Sequence, residues 1–167
     1  MAKHTILIVD DDSGVRNALA RALRGEDYAV LFAESCAAAR EILSREHLDL
    51  LLCDHQMPEM SGLEFIKEVR ASHAGILRIM MSGHADVEVL AEAINVGEIY
   101  RFVKKPWDDD ELKMTLRTAL SHLDATRENQ ALLATVQSQA KVIREIQKPA
   151  PRPVPRPAKA SDEGDAS

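Results

Sequence analysis

Ile6-Leu7-Ile8-Val9-Asp10-Asp11-Asp12 lies near the start of the chain and decides its architecture. Four consecutive branched aliphatic residues carry no polar alternation. That is the pattern of a strand covered on both faces, not of one that shows a face to water. Three aspartates then stop the run. Further apolar runs follow at Tyr28 to Phe32, Leu48 to Cys53, Ile76 to Met81 and Tyr100 to Val103. The segments between them carry apolar residues at helical spacing. Ser13 is placed to cap the first helix, which carries Val15, Leu19, Ala22 and Leu23 and ends at Gly25. Ser35 is placed to cap a second with Ala38, Ala39, Ile42 and Leu43. The turn residues Met57-Pro58-Glu59-Met60-Ser61-Gly62 lead into a third with Leu63, Phe65, Ile66 and Val69. Val87 to Val96 reads as a fourth, stopped by Gly97. Strands separated by helices of roughly 10–15 residues imply βαβ units, right-handed crossovers and a parallel sheet. The fold class expected is therefore α/β, a doubly wound five-stranded sheet with five helices.

The fifth helix is long. From Asp109 to about Gln147 no Pro or Gly interrupts it, a span of roughly 58 Å at 1.5 Å per residue. Leu112, Leu116, Ala119 and Leu123 form a stripe suited to docking on the sheet. Thr126 to Gln130 is polar. Leu132, Val136, Ile143 and Ile146, with Gln139 among them, then follow a heptad-like spacing. This second stripe is out of step with the first, so a break or stutter near Asn129 is expected. A solvated extension and a dimeric coiled coil both fit it. The expected organisation is a domain over residues 1–122, a helical extension over 123–147, and a Pro-rich disordered tail over 148–167, where prolines recur at every second position from Pro149 to Pro157.

Composition narrows the function. Apolar residues are 46% of the chain and charged residues 29%, and the net charge is −6, which argues against a broad nucleic-acid surface. No apolar run approaches the ~20 residues needed to span a bilayer, so no membrane partner is expected. Asp10 ends the first apolar run too early for a signal peptide. Cys36 and Cys53 call for no disulfide, and Cys53 reads as a small buried hydrophobe. The cytoplasm is the expected compartment. The six histidines show no zinc-ligand spacing, and no Gly-rich phosphate loop is present.

In doubly wound sheets ligands bind beyond the carboxyl ends of the strands. Those ends deliver Asp10, Asp11 and Asp12 after the first strand and Asp54 after the third. Ser82, Gly83 and His84 follow the fourth, and Lys104, Lys105 and Pro106 the fifth. Gathered carboxylates repel one another unless a cation joins them. Oxygen ligands favour Mg²⁺, with Mn²⁺ as a substitute, which takes one or two carboxylates plus phosphate oxygens. A lysine and a hydroxyl opposite such a metal suit a transferred phosphoryl group, and an aspartate can be its nucleophile.

At this point a family resemblance becomes specific. Ile8-Val9-Asp10-Asp11-Asp12, Leu52-Cys53-Asp54-His55-Gln56-Met57-Pro58-Glu59-Met60-Ser61-Gly62, Met81-Ser82-Gly83-His84-Ala85 and Phe102-Val103-Lys104-Lys105-Pro106-Trp107 stand in the order and spacing of the receiver domains of bacterial two-component response regulators. The chain resembles that family from residue 4 to about residue 122. The resemblance implies the flavodoxin-like strand order 2-1-3-4-5, which periodicity does not reveal. It implies that Asp54 is the phosphoacceptor. It implies a metal site of Asp10, Asp11, Asp54 and the backbone carbonyl of Gln56, with Ser82 and Lys105 binding the phosphoryl group. Ser82 and Phe102 match the switch pair, and Lys105-Pro106 matches a cis peptide. The implied partners are a sensor histidine kinase or phosphotransfer protein and an output protein or domain. A homodimer through the second stripe stays open. The only catalysis implied is self-phosphotransfer and self-dephosphorylation. Asn95 to Phe102 and Lys105 to Asp109 resemble receivers fused to hydrogenase-type transcription regulators or HD-GYP phosphodiesterases.

Plainer readings sit beside these. Asp12 is expected to cap a helix, Lys104 to be solvated, and Trp107 to anchor the last helix. His55 and His84 are expected to line the rim without reacting. A Mg²⁺-dependent phosphatase of the haloacid dehalogenase type is the rival enzyme: Asp10-Asp11-Asp12-Ser13-Gly14 fits the first and third positions of its motif but not the fifth. A receiver-like scaffold that works without phosphorylation is the other rival.

Overall fold

Ile6, Leu7, Ile8 and Val9 are all fully buried, and alternate residues of the run enter two different cores. The computed structural model describes residues 2–83 and 86–149 together with Pro151 and Pro155. Its elements run β1 (His4–Val9), α1 (Ser13–Ala22), β2 (Tyr28–Ala33), α2 (Cys36–Arg45), β3 (Leu50–Asp54), α3 (Gly62–Ser72), β4 (Leu77–Ser82), α4 (Val87–Asn95), β5 (Arg101–Lys104) and α5 (Asp109–Gln147). The strands form a five-stranded parallel sheet of order β2-β1-β3-β4-β5, as expected.

Leu7, Val9, Leu51, Cys53 and Met80 face one side, against Ala39 and Leu43 of α2, Phe65, Ile66 and Val69 of α3, and Leu90 and Ala93 of α4. Ile6, Ile8, Leu50, Leu52, Ile79 and Met81 face the other, against Leu19 of α1 and Leu112, Leu116, Ala119 and Leu123 of α5. Two cores served by one strand explain why the central strands are apolar at every position. At roughly 1.5–3 kcal/mol per fully buried aliphatic or aromatic side chain, they provide the drive that fixes register.

The expected elements are present; β2 starts at Tyr28 as expected, and the other four strand starts are displaced by one or two residues. One expected cap is corrected. Ser13 is the first residue of α1, and the cap is Asp12, whose carboxylate accepts from the amides of Gly14 and Val15. A carboxylate reaches both amides, satisfying two otherwise unpaired donors. Ser35 and Ser61 cap α2 and α3. Of the break or stutter expected near Asn129, the break is absent: residues 109–147 are helical throughout, as a span without Pro or Gly permits.

The chain forms two units, Met1–Glu128 and Asn129–Ser167. The first continues past the residue-122 boundary expected from sequence. Leu123 is buried, His4 Nε2 meets Asp124 Oδ1 at 3.0 Å, and Arg127 Nη1 donates to Asp49 Oδ1 at 2.6 Å. In the second unit the helical part is exposed almost throughout. The expected disordered tail lies outside the described residues except for Lys148, Pro149, Pro151 and Pro155.

Asp49 fastens this end of the sheet. Its Oδ2 accepts from the Thr5 amide at 2.8 Å. Burial pushes its carboxyl up, but the Arg127 guanidinium and the Thr5 amide outweigh that and hold it below its ordinary value. A carboxyl depressed in the fold contributes stability at pH above its unfolded value, and that contribution disappears as pH falls. Asp49→Asn is therefore expected to lose on the order of 1 kcal/mol near neutrality, because Arg127 is partly solvated. In urea titrations across pH, the difference from the parent protein should shrink as pH drops below the ordinary carboxylate value of 3.8.

Candidate functional site

The carboxyl ends of β1, β3, β4 and β5 converge on one rim, and each brings a different group. Asp10 follows β1 and is 1% exposed. Its Oδ1 accepts from the Asp12 amide at 2.9 Å, and Arg16 Nη1 donates to its carbonyl at 2.6 Å. Asp11 is the exposed member of the group. Asp54 closes β3 and is buried, as is Ser82 at the end of β4. One ligand oxygen from each of Asp10, Asp11 and Asp54 lies within 4.8 Å of the others.

Lys105 stands among them. Its Nζ is 3.0 Å from Asp10 Oδ2 and 3.1 Å from Asp54 Oδ1. Lys105-Pro106 is a cis peptide, as expected. Burial pushes the Asp54 carboxyl up, the Lys105 ammonium pulls it back, and the Asp10 charge raises it again; the net direction is upward. For Lys105, burial works against the charge, but the two carboxylates prevail and its pKa is raised. One ammonium thus partly neutralises two carboxylates while Asp11 stands beside them. That donor set suits a hard divalent cation that keeps several waters. The residues fit Mg²⁺.

The loop after β3 is held close to Asp54. Gln56 N donates weakly to Asp54 Oδ1 at 3.4 Å, and Gly62 N donates to the His55 carbonyl at 2.8 Å. A Cβ on Gly62 would overlap the Asp54 carbonyl, so only glycine lets α3 start this near the site. An open cleft of about 600 Å³ beside the rim is lined by Asp11, His55, Gln56, Met57 and Asp86, among others.

Asp86 carried no signal in the sequence analysis. Its Oδ2 accepts from Ser82 Oγ at 3.1 Å and from Gln56 Nε2 at 3.5 Å, and its Oδ1 is 3.8 Å from His55 Nε2. Its four-residue separation from Ser82, across the β4–α4 junction, was the only available clue. Phe102 is partly buried against the α2–α4 core, and with Trp107 it lines a second cavity between β5 and α5. The Trp107 indole donates to Asp109 Oδ1 at 3.0 Å, so it anchors the start of α5. Lys104 is exposed. Cys36 and Cys53 are free and buried. His84 lies outside the described residues.

An acidic, cation-seeking rim on a doubly wound sheet of this order defines a receiver-type signalling module. The chain belongs to the response regulator receiver domain family, whose family model matches residues 6–117. It is similar to the hydrogenase transcriptional regulatory protein HoxA of Cupriavidus necator, 40% identical over 116 residues, or 70% of this chain and 24% of that protein. It is also similar to the transcriptional regulatory protein ZraR of Escherichia coli, 38% identical over 117 residues, 70% of this chain and 26% of that protein. The chain spans about a quarter of the length of these curated relatives. Among solved structures, the signal receiver domain of an HD domain-containing protein from Pseudomonas fluorescens matches with TM-score 0.71 and 34% identity, covering 77% of this chain and 94% of that one. A CheY-like receiver domain protein from Methanospirillum hungatei matches with TM-score 0.68 and 26% identity, covering 74% and 98%. The chain is thus a response-regulator receiver domain, of a family that serves phosphorylation-dependent signalling and is generally non-catalytic. The haloacid dehalogenase reading is not favoured, because the family model that matches residues 6–117 is that of the receiver domain.

Two outcomes follow for metal-free protein. Because burial and the Asp10 charge disfavour ionised Asp54, Asp54→Asn is expected to raise stability near neutrality by on the order of 1 kcal/mol. The gain should fade at acid pH, where the native carboxyl protonates and its cost disappears; urea midpoints at two pH values check it. Gly62→Ala must displace the Asp54 backbone, and its urea midpoint should reveal a loss of about 1–3 kcal/mol.

Proposed function

We propose that Asp54 accepts a phosphoryl group from a phosphohistidine presented by a sensor histidine kinase or a phosphotransfer protein. The observation that carries this reading is the Lys105 ammonium, 3.1 Å from Asp54 Oδ1 and 3.0 Å from Asp10 Oδ2, beside a cluster that Asp11 completes. An Asp54 carboxylate oxygen attacks phosphorus in line. The new O–P bond forms as the N–P bond breaks, and imidazole leaves with the bonding pair. The open cleft lined by Asp11, Gln56 and Met57 gives the donor ring access.

Asp10, Asp11, Asp54 and the Gln56 carbonyl would hold Mg²⁺, which when bound neutralises the gathered carboxylates and the phosphoryl oxygens. Lys105 then exchanges its Asp54 contact for a phosphoryl oxygen and keeps Asp10. Before transfer Ser82 Oγ lies 3.1 Å from both Asp86 Oδ2 and the Gly83 carbonyl; the phosphoryl oxygens, carrying more charge, compete for its one proton. As Ser82 turns inward, Phe102 rotates toward the space it vacates. The face built from α4, β5 and α5 then changes its preferred partner, a population shift between two states. The output is an unidentified protein or a further domain, and the compartment is the cytoplasm. Loss of the phosphoryl group by self-hydrolysis resets the switch. Phe102 has no hydroxyl, so its position in each state is set by packing alone.

Mass spectrometry after incubation with acetyl phosphate and Mg²⁺ tests the assignment. The parent protein should gain one phosphoryl group. Asp54→Ala should gain none, and chelation should suppress labelling. Normal labelling of Asp54→Ala would remove Asp54 from its role. Labelling of the parent protein without any change in partner binding would favour the scaffold reading.

A further inference from the structure

Helix α5 leaves an apolar surface uncovered beyond the compact unit. Leu132, Leu133, Val136, Val142, Ile143 and Ile146 are each more than half exposed, from 51% at Ile143 to 77% at Ile146. Their order is not random. With Asn129, Val136 and Ile143 at a, the d positions are Leu132, Gln139 and Ile146. In that frame every charged residue of 129–147 falls on the outer positions: Lys141 at f, Arg144 at b and Glu145 at c. The positions flanking the seam, e and g, hold Leu133, Thr135, Ala140, Val142 and Gln147, none of them charged.

We infer that residues 129–147 form a parallel, in-register, two-stranded coiled coil with the same segment of a second copy of this chain. Three features select that occupant. First, pairing the segment with itself in register brings no like charges together across the seam, because the flanking positions are neutral and the charges lie outside. Second, β-branched Val136 and Ile143 at a, with Leu132 at d, favour two strands, and Asn129 at a reinforces that choice against Ile146 at d, which by itself favours three or four. Third, the seam contains two polar residues, Asn129 and Gln139. Parallel and in register, each meets its own copy, and a side-chain amide both donates to and accepts from its twin. Antiparallel pairing over the full segment, or a one-heptad slip, sets Asn129 and Gln139 against aliphatic residues and leaves buried amides unsatisfied. A polar residue at a specifies register and strand number in this way at a cost in stability. The seam spans fewer than three heptads, so the pairing is reversible and depends on concentration. This inference concerns a surface outside the phosphoryl site and does not rest on the role of Asp54.

Light scattering on the full chain across a concentration series provides the first test. The mass should rise from the 18.5 kDa monomer toward twice that value. The double variant Val136→Lys, Ile143→Lys should stay monomeric, with the fluorescence of Trp107, the chain's one tryptophan, unchanged as a control on the compact unit. Orientation is read separately by oxidative cross-linking. Ile146→Cys at d should give a covalent dimer, while Arg144→Cys on the outer face and the parent protein, whose Cys36 and Cys53 are buried, should not. A monomer at every concentration, a trimer or tetramer, or equal cross-linking at positions 144 and 146 overturns the proposal. Should the double variant lose its native fluorescence, the two cysteine variants alone decide.

Discussion

Three carboxylates share one rim with a single ammonium, and much of the fold can be understood as what holds them there. Asp10 and Asp54 are buried beside Lys105, and Asp11 stands within 4.8 Å of both. In water such a group would spread apart. Here it is held because each member sits at or just past the end of a strand whose register is fixed by apolar residues on both faces. A one-residue slip of β3 would turn Leu50, Leu52 and Asp54 toward the opposite core. The electrostatic crowding is tolerated because the two cores are large and lie elsewhere. Stability can be given up locally at such a site when the scaffold has reserve.

The same arrangement explains why the surroundings of the rim are conformationally strict. Gly62 has no Cβ, which allows the first turn of α3 to lie against the Asp54 carbonyl. The amide of Gly62 is bonded to the His55 carbonyl, pinning the intervening loop at its base. Asp12 caps α1 while Asp10 receives the Asp12 amide, so the turn that points Asp10 at Lys105 is also the turn that starts the helix.

What could be read from the sequence depended on whether the signal was local. Ile6 to Val9 and Leu50 to Cys53 announced themselves because burial on two faces removes polar alternation, and that follows from composition alone. Ser35 declared its cap by position. The choice between Asp12 and Ser13 did not resolve, since both residue types cap helices and their order decides only once the turn is built. Strand order is a matter of long-range pairing, so periodicity was silent and the family resemblance supplied it. The gathering of Asp10, Asp11, Asp54 and Lys105 could be proposed because doubly wound sheets collect their strand ends. Asp86 was invisible because nothing in a lone acidic residue at the start of a helix says that it will accept the Ser82 hydroxyl. Asp49 and Arg127 were missed for a related reason. They are 78 residues apart, and their contact moves the edge of the compact unit past the last apolar residue that docks on the sheet.

Asp86 also bears on how a receiver of this composition can respond to charge. Its carboxylate collects the Ser82 hydroxyl and the Gln56 amide, with the His55 ring nearby, so groups from β4 and from the loop after β3 share one acceptor. A hydroxyl has a single proton to donate. It therefore serves Asp86, the Gly83 carbonyl or an oxyanion at Asp54 one at a time, and the competition has discrete outcomes. Helix α4 begins immediately after Asp86, and Asp86 makes no side-chain hydrogen bond to its first amides. A change in the bonding of that carboxylate thus acts at the start of a helix whose cap is not otherwise secured, where the cost of rearrangement is low.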